Sequence, residues 1–405
     1  MTTFSFLKRN AAIDLLRALT MFTMIFVNDF WKIHDVPHWL EHATYGEDFM
    51  GLADIVFPCF IFVMGMSIPF AIEHRYTQKA SDSSTLLHIL SRSFALLIMG
   101  VFITNSEARL SNDVFYSIGV YWLLMVAAFI LIWNNYLPKS NKKLLLILKG
   151  LGWAILIFLA ITFRSPDEHV FAAHWGILGS IGWTYLVCSL IYLFSRTRLK
   201  MLIYIWIGFL LLCMLISPMN ESFGEIAMLN FPQPNFFHSF LEEVLHIGNG
   251  ALPAFGMGGI VLSLLTIKYE EVPMRKKIVW ILGLLITLII AGTIARHFWI
   301  LSKISATPTW IFYVSAIAIG VYTLLSTLVK AGKAHWLNII GPAGTATLTV
   351  YLMPYVFYAF ADITKIILPD IITHGFMGIL NCLCFSLVVI GVTYLLGLCK
   401  IKLKI

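Results

Sequence analysis

Residues 12–31, AIDLLRALTMFTMIFVNDFW, and 51–72, GLADIVFPCFIFVMGMSIPFAI, decide the fold of this chain. Each stretch is apolar and long enough to cross a bilayer as a helix, which takes roughly 20 residues. The connector between them, 33–49, reads IHDVPHWLEHATYGEDF and is dense in His and carboxylate side chains. Two predicted membrane spans therefore flank a short polar segment, and we take residues 10–72 as the core of the predicted site.

The composition of the whole chain agrees with this interpretation. Of its 405 residues, 59% are hydrophobic and only 12% are charged, and the mean hydropathy is +0.86. Soluble domains of this length do not have such a composition, so we predict an all-α polytopic membrane protein with a single transmembrane domain over 1–405. The apolar spans number about twelve, near 12–30, 51–72, 86–103, 115–133, 145–163, 175–194, 201–216, 249–267, 278–295, 307–328, 337–360 and 374–397.

The connectors between the spans predict the orientation in the bilayer. Most of the 28 Lys and Arg residues lie in connectors on the same side as the N-terminus. The positive-inside rule therefore places both termini in the cytoplasm, and because the basic charge serves topology, no nucleic-acid partner is expected. The outer connectors are acidic and rich in His and aromatic residues, which either suits a cationic or polyhydroxy ligand or merely complements the basic inner loops. The longest outer connector, 217–248, is a candidate lid or binding loop.

Three polar residues share one face of the first span at the helical period: Asp14, Arg17 and Asn28. Charged side chains inside an apolar span are expensive to bury in lipid, so they indicate a functional site by default. An alternative stays open, in which Asp14 and Arg17, three residues apart, neutralise each other and only orient the helix.

The outer ends of the first two spans carry the candidate catalytic residues. The first span runs outward and the second inward, so Asn28, His42 and Asp54 can meet at the outer rim. A His beside an Asp is a common general-base pair, because the carboxylate fixes the imidazole tautomer and stabilises the imidazolium. An Asn can donate a hydrogen bond to a developing oxyanion. The alternative for His42 is an ordinary surface residue of a loop.

A metal site is a second interpretation of the same connector. Five side chains would have zinc-ligand spacing if the segment were helical: His34, Asp35, His38, Glu41 and His42. Pro37 lies inside that run and disfavours a helix at the residue before it. We therefore expect no metal.

Three later features interrupt the spans. Pro58 cannot donate a backbone hydrogen bond, which leaves the carbonyl of Asp54 without its helical partner. The eighth span opens with GNGALPAFGMGG (248–259), which predicts either a broken helix or tight packing of helices through small residues. The eleventh span contains Gly341-Pro342, where we expect a break.

The runs IDLLRALTMFTMIFVND (13–29), HATYGEDFMGLADIVFPCFIFVMGMSI (42–68) and SKISATPTW (302–310) resemble the heparan-α-glucosaminide N-acetyltransferase family, including its bacterial members. The resemblance implies a transmembrane acyltransferase that takes an acetyl group from cytosolic acetyl-CoA and transfers it to the amino group of a terminal glucosamine. It also implies that His42 is the catalytic His and Asn28 its partner, with Asp54 in the adjacent motif.

The chain departs from the family pattern in places. The fourth span reads SIGVYWLL (117–124), without the Arg that the family carries there, and residues 175–216 read as an additional hairpin. The residues that we assign to contacts with acetyl-CoA are Asp14, Arg17, Arg92 and Lys303.

The predicted function is the transfer of acetyl from cytosolic acetyl-CoA to a glucosamine-type amino group at the outer face, with His42 as general base or acetyl carrier. Two alternatives stay open: an O-acetyltransferase of a cell-envelope glycan, and a sugar transporter with Asp14 and Arg17 on its path. The expected partners are the lipid bilayer, acetyl-CoA and an amino-sugar or glycan substrate, with a homodimer left open. The absence of a cleavable signal and of a lysosomal-type luminal segment predicts a prokaryotic inner membrane.

Overall fold

The computed structural model describes residues 10–405 except 108–109, 112, 138–139, 167–169, 173, 197, 230–245 and 271. This part of the chain contains thirteen α-helices and no β-strand, so the predicted all-α class is confirmed. The helices are α1 (Ala11–Asn28), α2 (Leu52–Thr77), α3 (Asp82–Glu107), α4 (Ile118–Trp133), α5 (Lys142–Thr162), α6 (Gly176–Ser195), α7 (Leu199–Ile216), α8 (Ala251–Lys268), α9 (Met274–Arg296), α10 (Pro308–Lys330), α11 (Gly341–Thr345), α12 (Thr347–Thr364) and α13 (Gly375–Leu398).

Most of these helices fit a membrane span. Among the described residues, 10 helices are long and apolar enough to cross a bilayer, and one bent pair brings the number to 11. The remaining predicted span, 115–133, corresponds to α4, which has 16 residues and is shorter than the 10 helices that pass this length criterion. The polytopic helical class is thus confirmed, while the cytoplasmic position of both termini stays a prediction.

The interruption of the eleventh span lies at a different residue from the predicted one. Gly341 opens α11 and Pro342 occupies its first turn, where a missing backbone N–H costs nothing. The helix instead bends by 81° at Ala346, between α11 and α12. The predicted break at Gly341-Pro342 was therefore wrong in position, because a proline at the start of a helix continues it.

The glycines of the eighth span pack against α2. The helix α8 is continuous from Ala251 to Lys268, so the tight-packing alternative describes it and the broken helix does not. A Cβ atom at Gly65 would lie 2.0 Å from the carbonyl oxygen of Gly256, and one at Gly259 would lie 2.0 Å from that of Phe62. Only glycine permits this approach of two backbones, which fixes α2, and hence Asp54, on α8.

The described chain divides into two compact units. The first comprises Met1–Thr20, Pro37–Ser93 and Trp183–Asn338, and the second Met21–Val36, Phe94–Gly182 and Ile339–Ile405. The single functional domain over 1–405 stays a prediction.

Two segments singled out in the sequence have mixed outcomes. The segment 175–216 forms the helices α6 and α7, joined by a short connector. That this hairpin is additional to the family pattern stays a prediction.

Residues 230–245 of the long connector 217–248 lie outside the described residues. Its role as a lid or binding loop stays a prediction.

Candidate active site

The loop that carries His42 is braced by its own side chains. His38 donates from Nε2 to Oε1 of Glu47 over 2.6 Å, and its ring stacks on Phe49 with 4.3 Å between the centroids. Thr44 donates to Oε2 of Glu47 from its backbone nitrogen at 2.9 Å and from its hydroxyl at 3.0 Å. The hydrogen bond from the Thr44 backbone and that from His38 hold the pKa of Glu47 below its usual range. These contacts give the segment around His42 a defined shape.

Asp54 connects this loop to the start of α2. It occupies the first turn of the helix and is 1% exposed. Its Oδ2 atom accepts hydrogen bonds from the backbone nitrogens of Gly51 at 3.2 Å and Ala43 at 2.9 Å. A carboxylate at a helix N-terminus is favoured by the helix dipole and by the free N–H groups there. Asp54 therefore caps α2 and holds the backbone next to His42.

His42 and Asp54 form a hydrogen-bonded pair. Nδ1 of His42 lies 2.7 Å from Oδ1 of Asp54, and the imidazole is 51% exposed. Because a carboxylate only accepts hydrogen bonds, we assign the proton of this contact to Nδ1 of His42. The lone pair is then on Nε2, to which no described residue forms a hydrogen bond. This is the form of imidazole that can take a proton from a substrate.

Lys303 is the third charged group at this position. Its Nζ atom lies 3.1 Å from Nδ1 of His42 and 3.7 Å from Oδ1 of Asp54, and its side chain is mostly buried. Burial lowers the pKa of Lys303, and the nearby Asp54 carboxylate partly offsets that effect. Lys303 was assigned to acetyl-CoA from the sequence; it lies beside the His–Asp pair, and its contact with acetyl-CoA stays a prediction.

An ion pair brings the connector of Lys303 to the loop of His42. Nε of Arg296 lies 3.1 Å from Oδ1 and 3.0 Å from Oδ2 of Asp48, and the backbone nitrogen of Leu301 donates to the same carboxylate over 2.7 Å. An Arg in contact with both oxygens of a carboxylate fixes geometry as well as charge. Sequence reasoning missed this pair, because the only indication of it was an acidic and a basic residue in two separate outer connectors.

The turn after Lys303 is fixed at its backbone. Ala306 has φ +47°, a left-handed conformation that is uncommon for a residue other than glycine. Its carbonyl oxygen accepts a hydrogen bond from Nδ2 of Asn249 over 2.8 Å. Thr307 then caps α10, accepting at Oγ1 from the backbone nitrogen of Trp310. These contacts set the position from which Lys303 extends.

Trp310 supplies the hydrogen bond that Pro58 takes away. The sequence predicts that Pro58 leaves the carbonyl of Asp54 without its helical partner. Nε1 of the buried Trp310 donates to that carbonyl oxygen over 3.1 Å. The segment SKISATPTW (302–310) thus provides both Lys303 and Trp310 to Asp54.

Gly51 is a further site residue that sequence reasoning missed. A Cβ atom at this position would lie 1.9 Å from the carbonyl oxygen of Glu41. The absence of a side chain therefore lets the backbone next to His42 lie against the start of α2. A glycine directly before a helix that begins with LAD was the only signal in the sequence.

The structure places the other predicted residues away from this cluster or in the other unit. Asn28 ends α1 and is exposed, and it belongs to the second unit, whereas His42 and Asp54 belong to the first. Its partnership with His42 stays a prediction.

Asp14 and Arg17 form the pair that the sequence left as an alternative. Nη1 of Arg17 lies 3.2 Å from Oδ1 of Asp14, and Nη2 donates to Oγ of Ser67 over 2.6 Å. The pair therefore ties α1 to α2 within the first unit.

Arg92 has a different environment. Its guanidinium lies over the ring of Tyr185, 4.6 Å from the centroid. Its Nε atom is buried and has no hydrogen-bond partner among the described residues. A buried donor without a partner is unusual and fits an anionic or carbonyl group that would bind there.

The part of the chain that the structure describes contains no group of three or more His, Cys, Asp or Glu side chains that could hold a metal ion. His38 and His42, two members of the sequence-based set, instead contact Glu47 and Asp54.

Residues 9–150 match the family model described as heparan-alpha-glucosaminide N-acetyltransferase, catalytic. The curated protein of that name from Mus musculus is 32% identical over 101 residues, which cover 24% of this chain and 14% of the mouse protein. The corresponding protein from Homo sapiens is 31% identical over 101 residues, again 24% of this chain and 14% of the relative.

The resemblance to this acetyltransferase family is confirmed. The family match contains Asn28, His42 and Asp54, whereas Lys303 and Trp310 lie outside it. The aligned segment spans 14% of the length of the curated relatives. The similarity supports a membrane acyltransferase in broad terms, and the donor, the acceptor and the roles of single residues are proposals.

Proposed function

We propose that this chain is a transmembrane acetyltransferase that uses acetyl-CoA from the cytosol and acetylates the amino group of a glucosamine-type sugar at the outer face of a prokaryotic inner membrane. The observation that carries the proposal is the contact of 2.7 Å between His42 and Asp54. This pair lies within the residues that match the family model, and it joins a buried acid to a half-exposed base.

The first proposed route requires a base beside the acceptor amine. His42, with its proton on Nδ1, presents a lone pair at Nε2. It takes a proton from the acceptor amine as the amine nitrogen bonds to the acetyl carbon and the carbon–sulfur bond of the thioester breaks. The same proton then passes from Nε2 to the departing thiolate, so the charges balance. Asp54 stabilises the transient imidazolium, and general-base catalysis of this kind contributes roughly 10²- to 10⁴-fold in rate.

A second route uses His42 as the acetyl carrier. Nε2 bonds to the acetyl carbon and the thiolate leaves, taking up a proton from water. The acceptor amine then attacks the acetyl group, His42 departs as the leaving group, and the proton that the amine loses passes through Nε2 to solvent and balances the one taken up by the thiolate. Both routes need the same tautomer and the same Asp54 contact. Asn28 remains the proposed donor to the oxyanion in either route.

Acetyl-CoA supplies the activated thioester and brings several negative charges. Arg92 fits a contact with the donor, because it has a buried Nε donor without a partner among the described residues. Arg17 already binds Asp14 and Ser67, so it fits a positioning role better than the full neutralisation of a phosphate. Lys303 fits a role at the reacting groups, next to His42.

The test is the transfer of labelled acetyl from acetyl-CoA to glucosamine by the purified protein. We expect His42→Ala to lower the rate by roughly 10²-fold or more. His34→Ala is the matched control, since it removes an exposed His of the same connector whose ring lies beside His374 and not beside Asp54. It should keep most of the activity.

Other outcomes distinguish the alternatives. Normal transfer by His42→Ala would contradict the role of His42 in both routes. Label on a glycan hydroxyl, but not on an amine, would replace the N-acetyltransferase with an O-acetyltransferase. Uptake of sugar that needs no acetyl-CoA, without any transfer, would replace the enzyme with a transporter.

A further inference from the structure

The second unit contains a cavity of about 360 Å³ that the proposed acetyl transfer does not use. Its walls come from the start of α4, the end of α12 and the residues after α1, and most of the lining is apolar. Cavities of roughly 300 to 1,000 Å³ are the usual size for small-molecule sites in proteins. The volume is therefore sufficient for part of a ligand, and its lining defines which kind.

The cavity lies at the ends of three helices that are predicted to span the membrane. Trp31, Trp122 and Tyr358 contribute aromatic rings to its wall, with Trp31 and Tyr358 5.6 Å apart and Trp122 and Tyr358 6.2 Å apart. Trp and Tyr concentrate at the boundary between the hydrocarbon and the head groups of a bilayer. Because α4 begins here and α12 ends here, the aromatic lining fits a position of the cavity at this boundary.

The mouth of the cavity is apolar. Ile366 and Ile367 line it and are 63% and 90% exposed. Their position is fixed, because Lys365 ends α12 in a left-handed conformation and the nitrogen of Ile366 donates back to the carbonyl of Ala361 over 3.1 Å. Two isoleucine side chains exposed in this way have an unfavourable free energy of solvation in water and a favourable one in hydrocarbon. The cavity therefore opens toward lipid.

A few polar groups complete the lining. Nε1 of Trp122 is buried and has no hydrogen-bond partner among the residues that the structure describes. The exposed Lys365 binds Asp362 over 3.2 Å, and Asp362 also accepts from the backbone nitrogen of Gly119 over 3.1 Å. A buried indole N–H normally has a hydrogen-bond acceptor, so we expect a ligand to supply the acceptor for Trp122.

We propose that this cavity binds a membrane glycerophospholipid. One acyl chain lies along the apolar wall, Trp122 donates from Nε1 to an ester or phosphate oxygen, and the ammonium of Lys365 lies near the phosphate. A free sugar fits less well, since its hydroxyls need hydrogen-bond partners on every side and most of the wall cannot supply them. This site is independent of the acetyl transfer proposed above.

The test is a titration of the purified, delipidated full chain with dioleoyl phosphatidylglycerol, followed by native mass spectrometry. Trp122→Phe keeps an aromatic ring and removes the N–H, so we expect the lipid to bind roughly fivefold more weakly, as for one lost hydrogen bond. Ala361→Trp fills the cavity from its own wall and should abolish the binding. Trp280→Phe, on the exposed part of α9 in the first unit, is the matched control and should bind as the wild type does.

Two further probes identify the ligand class. Glycerol phosphate alone should not bind, because it lacks the acyl chain. Equal binding by wild type, Trp122→Phe and Ala361→Trp would overturn the proposal, as lipid would then coat the protein without a specific site. Saturation of the cavity by glucosamine, lost in Trp122→Phe, would also overturn it and assign the cavity to a sugar. Circular dichroism of each variant shows whether it is folded.

Discussion

Each unit of the molecule contains a buried aspartate paired with a basic side chain, and the two pairs are built differently. Asp54, in the first unit, is 1% exposed and contacts His42. Asp29, in the second, is 2% exposed and contacts Nζ of Lys32 over 2.8 Å. In both pairs the two residues are close in sequence and lie at or next to the end of a predicted span. The difference lies in what surrounds the base.

The base of the second pair is enclosed by aromatic rings. The ammonium of Lys32 lies 3.8 Å from the ring centroid of Tyr358 and 4.6 Å from that of Phe385, and the hydroxyl of Tyr358 donates to Asp29 over 2.8 Å. Its charge is thus balanced on several sides. His42 instead keeps one ring nitrogen without a partner among the described residues. We therefore expect the first pair, whose base is accessible, to take part in chemistry, and the second pair, whose base is enclosed, to stabilise the fold.

The largest expected effect separates the two aspartates. Asp54→Asn offers an amide N–H to His42 in place of a carboxylate oxygen, which favours the wrong imidazole tautomer and removes the charge that stabilises the imidazolium. We expect the acetyl-transfer rate per folded molecule to fall about 10³-fold or more. Some stability should be lost as well, because Asp54 also caps α2 and faces the mostly buried Lys303. The measurement is the rate of labelled acetyl transfer beside the thermal unfolding temperature.

The matched variant in the second unit is Asp29→Asn. It leaves Lys32 without a counter-charge in a largely buried place, so we expect the free energy of unfolding to fall by about 3 kcal/mol. Transfer per folded molecule should stay near the wild-type rate. If Asp29→Asn abolished transfer while Asp54→Asn did not, the assignment of chemistry to the first pair would be wrong.

A smaller but still large effect is expected at Gly51. In Gly51→Ala the new Cβ atom overlaps the carbonyl oxygen of Glu41, so the backbone next to His42 must move away from α2. A displacement of about 1 Å at a catalytic group costs roughly 10²-fold in rate. We expect this loss in the acetyl-transfer assay, together with weaker protection of the Ala43 amide, which donates to Asp54, from hydrogen exchange.

Gly46→Ala in the same loop is the control. A Cβ atom there meets nothing within 4 Å, although φ is +82°. The strain should cost about 1 to 2 kcal/mol of stability without displacing the His42 segment. Equal loss of activity in both variants would show that the loop, and not the contact at Gly51, sets the rate.

The sequence predicted the helices well and the site in part. Apolar runs of span length, such as those of α1 and α2, follow directly from hydropathy, and each predicted span corresponds to a helix or a bent pair. The polar contact of His42 with Asp54 also lay within reach, because the two residues are separated by only a short loop between adjacent spans. Local spacing and topology were sufficient in both cases.

What could not be predicted depends on contacts between distant parts of the chain. Asp48 contacts Arg296 and Lys303 contacts Asp54 across more than two hundred residues, and no periodicity relates them. The bend at Ala346 likewise escaped prediction, since Gly341-Pro342 gave the stronger local signal for a break. Pro58 predicts that the carbonyl of Asp54 needs another hydrogen-bond donor. The sequence did not identify that donor as the indole of Trp310.

The smallest expected effect concerns Lys303 and the pH dependence of stability. Burial lowers the pKa of Lys303 from its ordinary value of 10.5, so the folded protein holds this proton less tightly than the unfolded chain does. Between the two pKa values the unfolded chain binds more protons, and the free energy of unfolding therefore rises with pH. In Lys303→Met this contribution is absent. We expect the unfolding temperature of the wild type, relative to Lys303→Met, to increase in the alkaline range below 10.5. A difference that is constant or decreases with pH would mean that Asp54 outweighs burial in setting the pKa of Lys303, and the third group of the cluster would then keep its positive charge throughout this range.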